Sequence, residues 1–349
     1  MNISTIKGVR MEAVAACVPS NRIDNQLFAK EHFDEDLTST LKAVGVGFRH
    51  IATKEETTGL TLCVEAAKSI LKNLNCKDEI GAVVFVTQTP DMLVPNNSTY
   101  VQHLLDLPSD VAAIDVNHSC PGYTFGLWNA ALMCQNLKKK VLFLDGDVNS
   151  KYISPWDKST SLLFGDAGTA TLLTPDSGAQ DWTFTFNVDG SLRDSVQVKI
   201  GFKNPIKAEM LEFKEYEDGS KRRDIDMYMD GMGVFDYEIE NLPPVITDFM
   251  DELETAPEEY DRVLIHQANA FMLRKLTKIL GFEKEQVPMS IHEYGNTSSA
   301  CIPVTITSQL KDVELDKVMM VGMGAGLASC IADISLKGMK NFGIKELDA

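Results

Sequence analysis

Residues 111–135 have the sequence VAAIDVNHSCPGYTFGLWNAALMCQ, in which a strand pattern runs directly into a helix pattern. The apolar, β-branched run 111–116 predicts a buried strand of a parallel sheet. Apolar residues at helical spacing follow almost at once and predict a helix. Cys120 lies at the turn between the two, directly before Pro121. Proline suits a first helical turn, because its missing N–H would have no intrahelical partner there.

Cys120 is a candidate nucleophile because of its place at this turn. A side chain at the start of a helix faces unpaired backbone N–H groups and the positive end of the helix dipole. Both favour the thiolate, which is the nucleophilic form of cysteine. The alternative is a packed core cysteine, since free cysteine is among the most buried residue types. The partners that the rest of the chain provides decide between the two.

Size and charge exclude some classes of protein. The chain has 349 residues, enough for a large core or for two similar lobes. It carries 33 Lys and Arg against 50 Asp and Glu, a net charge of −17, which argues against a nucleic-acid binder because phosphate attraction needs a basic face. The content of 44% hydrophobic and 24% charged residues is that of an ordinary globular protein.

The cysteines and the apolar segments indicate the cellular compartment of the protein. Seven cysteines are an odd number, they are widely spaced, and they form no Cys-x-x-Cys pair. This pattern favours a reduced, cytoplasmic protein over a disulfide framework or a zinc site. The first residues lack the apolar core of a signal peptide. Residues 116–137 are uncharged, but their several Asn, Gln, His and Pro residues favour a buried helix, so we expect no membrane segment.

Strand and helix patterns alternate along the chain, which predicts an α/β fold with mostly parallel sheets. The pattern restarts after Pro175, so we divide the chain into halves 1–174 and 175–349, which could be one motif used twice. Residues 190–230 form a polar, charged insertion. The predicted strands are 9–17, 82–86, 111–116, 141–144, 182–188, 262–266, 317–321 and 327–334, and residues 162–173 are expected to form a glycine-containing turn that leads into another strand. The predicted helices are 31–47, 59–74, 98–105, 241–253, 268–280 and 298–310.

Two turns in the second half carry polar residues that could act with Cys120. His266 ends a short apolar strand and is followed by a helix, and Asn296 lies in the polar turn YGNTSS before another helix. Ligands of α/β sheets gather at the carboxyl ends of strands, where Cys120 and His266 both lie. Each has a structural alternative, since a strand-end histidine is often a hydrogen-bonded structural residue and Asn-Thr-Ser is a common helix cap.

These turns, in this order, resemble β-ketoacyl-acyl-carrier-protein synthase III, a family of thiolase-fold condensing enzymes. Each motif is weak alone, but the ordered set extends over most of the chain and is specific. The resemblance implies a five-layered αβαβα fold of two pseudo-symmetric halves, in a homodimer. The motifs are GVGFRHIA at 45–52, DVNHSCPG at 115–122, FGDAG at 164–168, HQAN at 266–269, GNTS at 295–298 and GMGAG at 322–326.

The resemblance also implies roles for individual residues. Cys120 would accept the acyl group, and His266 and Asn296 would stabilise the enolate that forms when a malonyl thioester loses CO₂. The N–H groups of Cys120 and Ala325 would form an oxyanion hole. The implied reaction is decarboxylative Claisen condensation of an acyl primer with malonyl-acyl carrier protein, in fatty acid or related biosynthesis. The implied substrates are acyl-CoA or acyl-carrier protein and malonyl-carrier protein, without a cofactor or a metal, and segment 164–168 is expected to be structural.

Several positions depart from the family's pattern and bear on its substrates. Ser39 and Ala43 stand where members that take acetyl-CoA place a tryptophan and an arginine, so a carrier-bound or unusual primer is favoured. Phe271 stands in place of an arginine that helps to dock the acyl carrier protein. Basic residues further along that helix could replace it, although a solvated helix face is the alternative: Arg274, Lys275 and Lys278.

Two positions predict a larger acyl pocket. Met323 replaces a usual aromatic residue, and Val94 replaces a bulkier one in a segment that by resemblance reaches into the partner's tunnel. Both changes would admit a longer or branched chain. Two other functions stay open: a thiolase-fold acyltransferase that forms no C–C bond, and a silent partner subunit. The presence of Cys120, His266 and Asn296 favours condensation over both.

Overall fold

The computed structural model describes residues 1–217, 219–310 and 314–348. In chain order the strands are β1 Ile3–Ile6, β2 Val9–Pro19, β3 Arg22–Asp24, β4 Phe48–His50, β5 Ile80–Val86, β6 Ala112–Val116, β7 Lys140–Asp147, β8 Ala167–Pro175, β9 Trp182–Val188, β10 Val196–Gln197, β11 Lys214–Glu215, β12 Lys221–Arg222, β13 Tyr228–Met229, β14 Arg262–Ile265, β15 Val318–Gly324, β16 Ala328–Ile334 and β17 Lys340–Leu347. The helices are α1 Asn25–His32, α2 Thr38–Val44, α3 Gly59–Leu74, α4 Asn97–Leu104, α5 Gly122–Leu137, α6 Lys158–Ser161, α7 Gly231–Asp236, α8 Leu242–Glu252, α9 Ala270–Ile279, α10 Ile291–Tyr294 and α11 Cys301–Gln309.

Two large sheets repeat one arrangement of strands. The six-stranded sheet has the order β17-β2-β8-β7-β5-β6, and the five-stranded sheet has the order β1-β9-β16-β15-β14. In the first, β2 and β8 are antiparallel, β8 and β7 are antiparallel, and β7 and β5 are parallel. The series β9, β16, β15 and β14 follows the same directions. The fold is therefore built from two pseudo-symmetric halves, as expected.

The prediction of mostly parallel sheets is wrong. Five of the nine strand pairs in the two large sheets are antiparallel. The reason is that both sheets are covered by helices on both faces, so every central strand is a continuous apolar run whatever its direction. Hydrophobic periodicity therefore carries no information about strand direction here.

Helices α5 and α11 lie between the two sheets. The inner cluster joins Tyr123 and Leu127 of α5 and Ile302 of α11 to Val84 of one sheet and Met320 of the other. Helix α3 covers the outer face of the six-stranded sheet, and α8 and α9 cover the outer face of the five-stranded sheet. Neither central helix carries a charged residue, as a helix that is buried all round requires. The result is the five-layered αβαβα thiolase-like fold.

The first and last strands each join the sheet of the opposite half. Strand β1 pairs with β9, and β17 pairs with β2. These pairs cross the predicted boundary between residues 174 and 175, which stays a prediction.

Strand β6 departs from the prediction of a buried strand. It forms the edge of the six-stranded sheet and pairs with β5. Its side chains are half-buried or exposed, and Ile114 is 37% exposed. A sequence pattern marks β6 as apolar but does not show what covers it. Within the described ranges, no helix is long and apolar enough to cross a membrane.

A helical segment before α8 was not predicted. Helices α7 and α8 are joined by a π-helical turn, Tyr237–Asn241, in which the N–H of Leu242 bonds to the carbonyl of Tyr237. Pro243 and Pro244 begin α8 without N–H groups, so the regular i→i−4 ladder cannot continue through them. The shifted register places Glu238, which is 1% exposed, towards the protein interior. The predicted helix 31–47 is wrong in its bounds: it overlaps only the last two residues of α1 and contains the shorter α2, with non-helical residues between them.

Candidate active site

Cys120 lies in the turn between the edge strand β6 and the central helix α5, as predicted. The turn is tight, and the N–H of Gly122 bonds to the carbonyl of Ser119. A Cβ on Gly122 would lie 2.7 Å from Cγ1 of Val86 in β5. Glycine therefore lets α5 begin directly against the sheet, which brings the buried Cys120 to the end of the strands.

The glycine-rich end of β15 packs against Cys120. A Cβ on Gly324 would lie 2.5 Å from Cβ and 3.1 Å from Sγ of Cys120, and its φ of +143° is one that side-chain-bearing residues rarely adopt. The next residue, Ala325, donates its backbone N–H to the Cys120 sulfur. The two backbone groups predicted to form an oxyanion hole therefore belong to adjoining segments.

The protonation of Cys120 differs from the sequence expectation. Burial raises the pKa of the Cys120 thiol, because the charged thiolate loses its hydration. Hydrogen bonds from the Ser119 hydroxyl, the Ala325 N–H and the Ser298 hydroxyl lower the pKa and only partly offset burial. The resting form at neutral pH is a thiol with three donors around it, so acylation must include removal of its proton.

The turn that carries Asn296 is held by the first half of the chain. The N–H of Asn296 donates to the carbonyl of Leu163, and the N–H of Gly165 donates to the carbonyl of Asn296. A Cβ on Gly165 would collide with the carbonyl oxygen of Tyr294. Segment 164–168 therefore positions the Asn296 turn, which agrees with its expected structural role.

The amide group of Asn296 has a defined orientation. Its Oδ1 accepts the Ser298 N–H at 2.9 Å. Because the partner is a donor, the atom facing it must be the oxygen, and the NH₂ end of the amide remains for another acceptor. The asparagine is 4% exposed. It therefore presents a hydrogen-bond donor inside the site.

His266 follows β14, and its backbone is bonded to the neighbouring strand β15. Its backbone N–H donates to the carbonyl of Val321, and its ring is buried. Burial alone would lower the pKa of the imidazole. The neighbouring Cys301 sulfur, the Glu238 carboxyl and the Ser298 backbone outweigh burial, and the net result is a raised pKa.

The two other polar residues of HQAN have structural roles. The amide of Gln267 spans from the carbonyl of Ile265 to the N–H groups of Ser290 and Ile291. Asn269 caps α9 by accepting the Met272 N–H at 2.9 Å. Gln267 therefore ties the His266 turn to the segment that precedes Asn296.

Ser298 brings the three predicted residues together. Its hydroxyl lies near Cys120 and Asp147, its backbone lies near the His266 ring, and its N–H donates to Oδ1 of Asn296. Ser298 has a left-handed φ of 56° and is 2% exposed. The first turn of α5 also contacts the 3₁₀ turn Ser298–Ala300. The N-terminal ends of both central helices therefore meet at one site.

Sequence reasoning missed several buried groups of this site. The Cys301 sulfur accepts the Thr297 N–H at 3.2 Å and lies 3.6 Å from Oδ1 of Asn296. Asp145 accepts the Ser299 hydroxyl, and Asp147 accepts four donors from 87–89. Burial raises the pKa of both carboxyls. The sequence Asp-Gly-Asp at the end of a predicted strand was a visible signal for the two acids.

The predicted docking and pocket residues lie in different surroundings. Val94 is 81% exposed in the loop after β5, and Met323 is fully buried in β15, where it packs with Val321 and Ile265. The three basic residues of α9 lie on its outer side: Arg274, Lys275 and Lys278. Nζ of Lys275 is 4.5 Å from the ring centroid of Phe235. Roles for all five remain predictions.

A cleft of about 520 Å³ lies beside α2, the helix that carries Ser39 and Ala43. It is lined by parts of α1 and α2 together with Gly45 and His292. The lining contains two acidic and two basic residues: Glu35, Asp36, Lys30 and Lys42. The two acids and the two lysines cancel, so the charge of the lining does not decide whether a phosphate group binds there.

Comparison with known proteins gives the same family in sequence and in structure. Family models match residues 114–190 (3-Oxoacyl-[acyl-carrier-protein (ACP)] synthase III) and 250–334 (3-Oxoacyl-[acyl-carrier-protein (ACP)] synthase III C terminal). The Beta-ketoacyl-[acyl-carrier-protein] synthase III of Lactococcus lactis subsp. cremoris (strain MG1363) is 30% identical over 339 residues, covering 94% of this chain and 99% of the relative.

Solved structures agree. The crystal structure of a 3-oxoacyl-(acyl-carrier protein) synthase from Burkholderia xenovorans LB400 has a TM-score of 0.91 and 35% identity, and 99% of each chain is covered. That of a β-ketoacyl-[acyl carrier protein] synthase III from Thermus thermophilus has a TM-score of 0.80 and 26% identity, covering 94% of this chain and 99% of the other.

The fold and the site define a thiolase-fold condensing enzyme of the acyltransferase class. The chain belongs to the β-ketoacyl-[acyl-carrier-protein] synthase III family.

Proposed function

We propose that Cys120 accepts an acyl primer as a thioester and that the enzyme condenses it with malonyl-acyl carrier protein. The observation that carries this proposal is the meeting of Cys120, His266 and Asn296 around Ser298. A nucleophile and two donors of different kinds fit the two half-reactions of a decarboxylative Claisen condensation.

In the first half-reaction the Cys120 sulfur attacks the carbonyl carbon of the primer thioester. The N–H groups of Cys120 and Ala325 stabilise the oxyanion, and the C–S bond to the carrier breaks. The proton lost by the Cys120 thiol goes to the departing carrier thiolate. The products are acyl-Cys120 and the free carrier thiol.

In the second half-reaction the malonyl thioester loses CO₂, and the bonding electrons form an enolate. Nε2–H of His266 and the NH₂ group of Asn296 donate to its oxygen; losing one such donor typically costs on the order of 100- to 1000-fold in rate. The carbanion attacks acyl-Cys120. A 3-oxoacyl thioester forms, and the Cys120 thiolate leaves and regains a proton.

A primer delivered by the carrier protein fits the surface better than one delivered by CoA. Ser39 and Ala43 favour this, since neither side chain can stack on a base or pair with a phosphate. The basic side chains of α9 would dock an acidic acyl carrier protein on a chain of net charge −17: Arg274, Lys275 and Lys278. Val94 and Met323 would widen the acyl pocket.

The assembly proposed for this chain is a homodimer. The exposed edge of β6 with Ile114 adjoins a loop with Leu93 (79% exposed) and Val94, and an unpaired apolar edge invites a second strand. Light scattering should give twice the chain mass, and Ile114→Glu should shift it to the monomer. The cysteines of the described chain are all free, which supports a reduced cytoplasmic setting. The net charge of −17 argues against nucleic acid as a partner.

The test of the reaction is CO₂ release from malonyl-carrier protein by acyl-loaded enzyme. Condensation requires this release, whereas simple acyl transfer and a silent partner subunit do not. Asn296→Ala should retain acylation of Cys120, followed as a mass adduct, while condensation is abolished. Equal loss of both half-reactions would contradict the division of roles, and absence of CO₂ release from acyl-loaded wild type would favour acyl transfer.

A further inference from the structure

Glu238 is a buried carboxyl that the proposed reaction does not use. It lies in the π-helical turn between α7 and α8 and is 1% exposed. Its Oε2 has no hydrogen-bond partner among the described residues. Burying an unpaired carboxyl is unfavourable, and an apolar residue of similar size would be easier to accommodate there. A buried carboxyl oxygen without a hydrogen-bond partner needs an explanation, either a partner outside these residues or a function.

The imidazole of His266 contains a second buried atom without a hydrogen-bond partner. Its Nδ1 is buried and has no hydrogen-bond partner within the described part of the chain. The charged groups that act on the Glu238 carboxyl are His266 and, more weakly, Cys120. The other charged groups on α7, α8 and α9 do not face the Glu238 carboxyl. Lys275 of α9 lies over the ring of Phe235. The following are exposed to solvent: Asp236, Asp248, Asp251, Arg274 and Lys278.

We propose that Glu238 is the positioning residue of His266, with one proton shared between its Oε2 and Nδ1 of the ring through one water molecule. This inference rests on the proposed role of His266 as a donor to the enolate. Whichever atom holds the shared proton, Nε2 keeps its own hydrogen, which is the one that the proposed second half-reaction donates to the enolate. The carboxyl therefore selects the protonation state of the imidazole that the second half-reaction needs.

The electrostatics agree with a shared proton. Burial raises the pKa of Glu238 to about 8, and the imidazole opposes that rise. The pair titrates as a unit, so near neutral pH it retains the shared proton. When that proton is lost at higher pH, the carboxylate draws the remaining ring hydrogen to Nδ1. Nε2 then becomes an acceptor and can no longer donate to an enolate.

The experiment is the rate of CO₂ release from malonyl-carrier protein by acyl-loaded enzyme between about pH 6 and pH 9.5. Wild type should lose activity above about pH 8. Glu238→Gln should keep activity through that range, because its NH₂ group donates towards Nδ1 through the same water molecule and cannot ionise. Glu238→Leu, which leaves Nδ1 unpaired, should be about 10- to 100-fold slower at all pH values. Glu240→Gln, on the same turn but exposed, is the matched control and should behave as wild type.

Three results would overturn the proposal: a wild-type profile that does not fall, the same fall in Glu238→Gln as in wild type, or an inactive but folded Glu238→Gln protein. A merely structural role for Glu238 would change the folded fraction and leave the shape of the pH profile unchanged. His266→Ala is measured in parallel. If it releases CO₂ as fast as wild type, the proposed role of His266 fails; if it is inactive while the Glu238 variants match wild type, only the inference about Glu238 fails.

Discussion

The backbone N–H of Ser298 holds Oδ1 of Asn296 at 2.9 Å, so the side-chain amide has one end left to offer a substrate. Asn296→Asp keeps the acceptor for Ser298 but loses the donor. We expect its CO₂ release to fall on the order of 100- to 1000-fold, as for Asn296→Ala. The measurement is CO₂ release by acyl-loaded enzyme, with exposed Asn73→Asp as control. A rate for Asn296→Asp within about tenfold of wild type would show that the NH₂ group is not needed.

Gly324 has two properties that a side chain would disturb: a close approach to Cys120 and a positive φ. Two alanine variants can distinguish their effects. Gly324→Ala would press a Cβ to 2.5 Å from Cβ of Cys120. We expect it to block acylation, because either the cysteine or the Ala325 N–H must move. Gly343→Ala is the matched control, since Gly343 has a φ of +73° but open space around it. Mass adducts on Cys120 report acylation; equal acylation in the two variants would refute the close-approach argument.

Cys301 supports the Asn296 turn through its sulfur. Cys301→Ala leaves the buried Thr297 N–H without its acceptor, which should lower the free energy of unfolding by about 1–3 kcal/mol. Cys301→Ser keeps an acceptor and should lose less. Urea unfolding gives the stabilities, and Cys134→Ala separates loss of the hydrogen bond from loss of a buried thiol. Cys301→Ser and Cys301→Ala of equal stability would argue against the hydrogen bond.

The raised pKa of Cys120 predicts how its reactivity depends on pH. The thiol has a folded pKa above its usual value because of burial, so the thiolate fraction at neutral pH is small. Alkylation by iodoacetamide should therefore rise about tenfold per pH unit from about pH 7 to pH 9 without reaching a plateau. Ser298→Ala removes one donor to the sulfur and should slow alkylation at every pH. A plateau below about pH 8 would show that the helix dipole outweighs burial.

Local patterns predicted the elements best where caps or turns bound them. Helix α3 and strand β9 begin and end as expected, and α3 has a capping box at Thr58. Strand directions and the exposure of β6 could not be predicted, since they depend on which strands become neighbours. The π-helical turn could not be predicted either, although Pro243 and Pro244 marked an irregularity there.

The candidate site divides in the same way. The turns that carry Cys120, His266 and Asn296 were visible because polar residues interrupt apolar runs at strand ends. Glu238 could not be recognised, since it stands between Asp236 and Glu240 in a stretch whose charged residues would normally face solvent. Only tertiary packing, which buries one of these two glutamates and exposes the other, distinguishes them.

The exchange of the terminal strands has a consequence for synthesis on the ribosome. Chains emerge from their N-terminus, yet the sheet that leads to Cys120 takes its outer strand from residues 340–347, after every other described strand. Until β17 arrives, one side of β2 is an open edge. The half that carries Cys120 is therefore complete only after the other half has been translated. A chain released before β17 is made would expose an unpaired sheet edge that can pair with other chains.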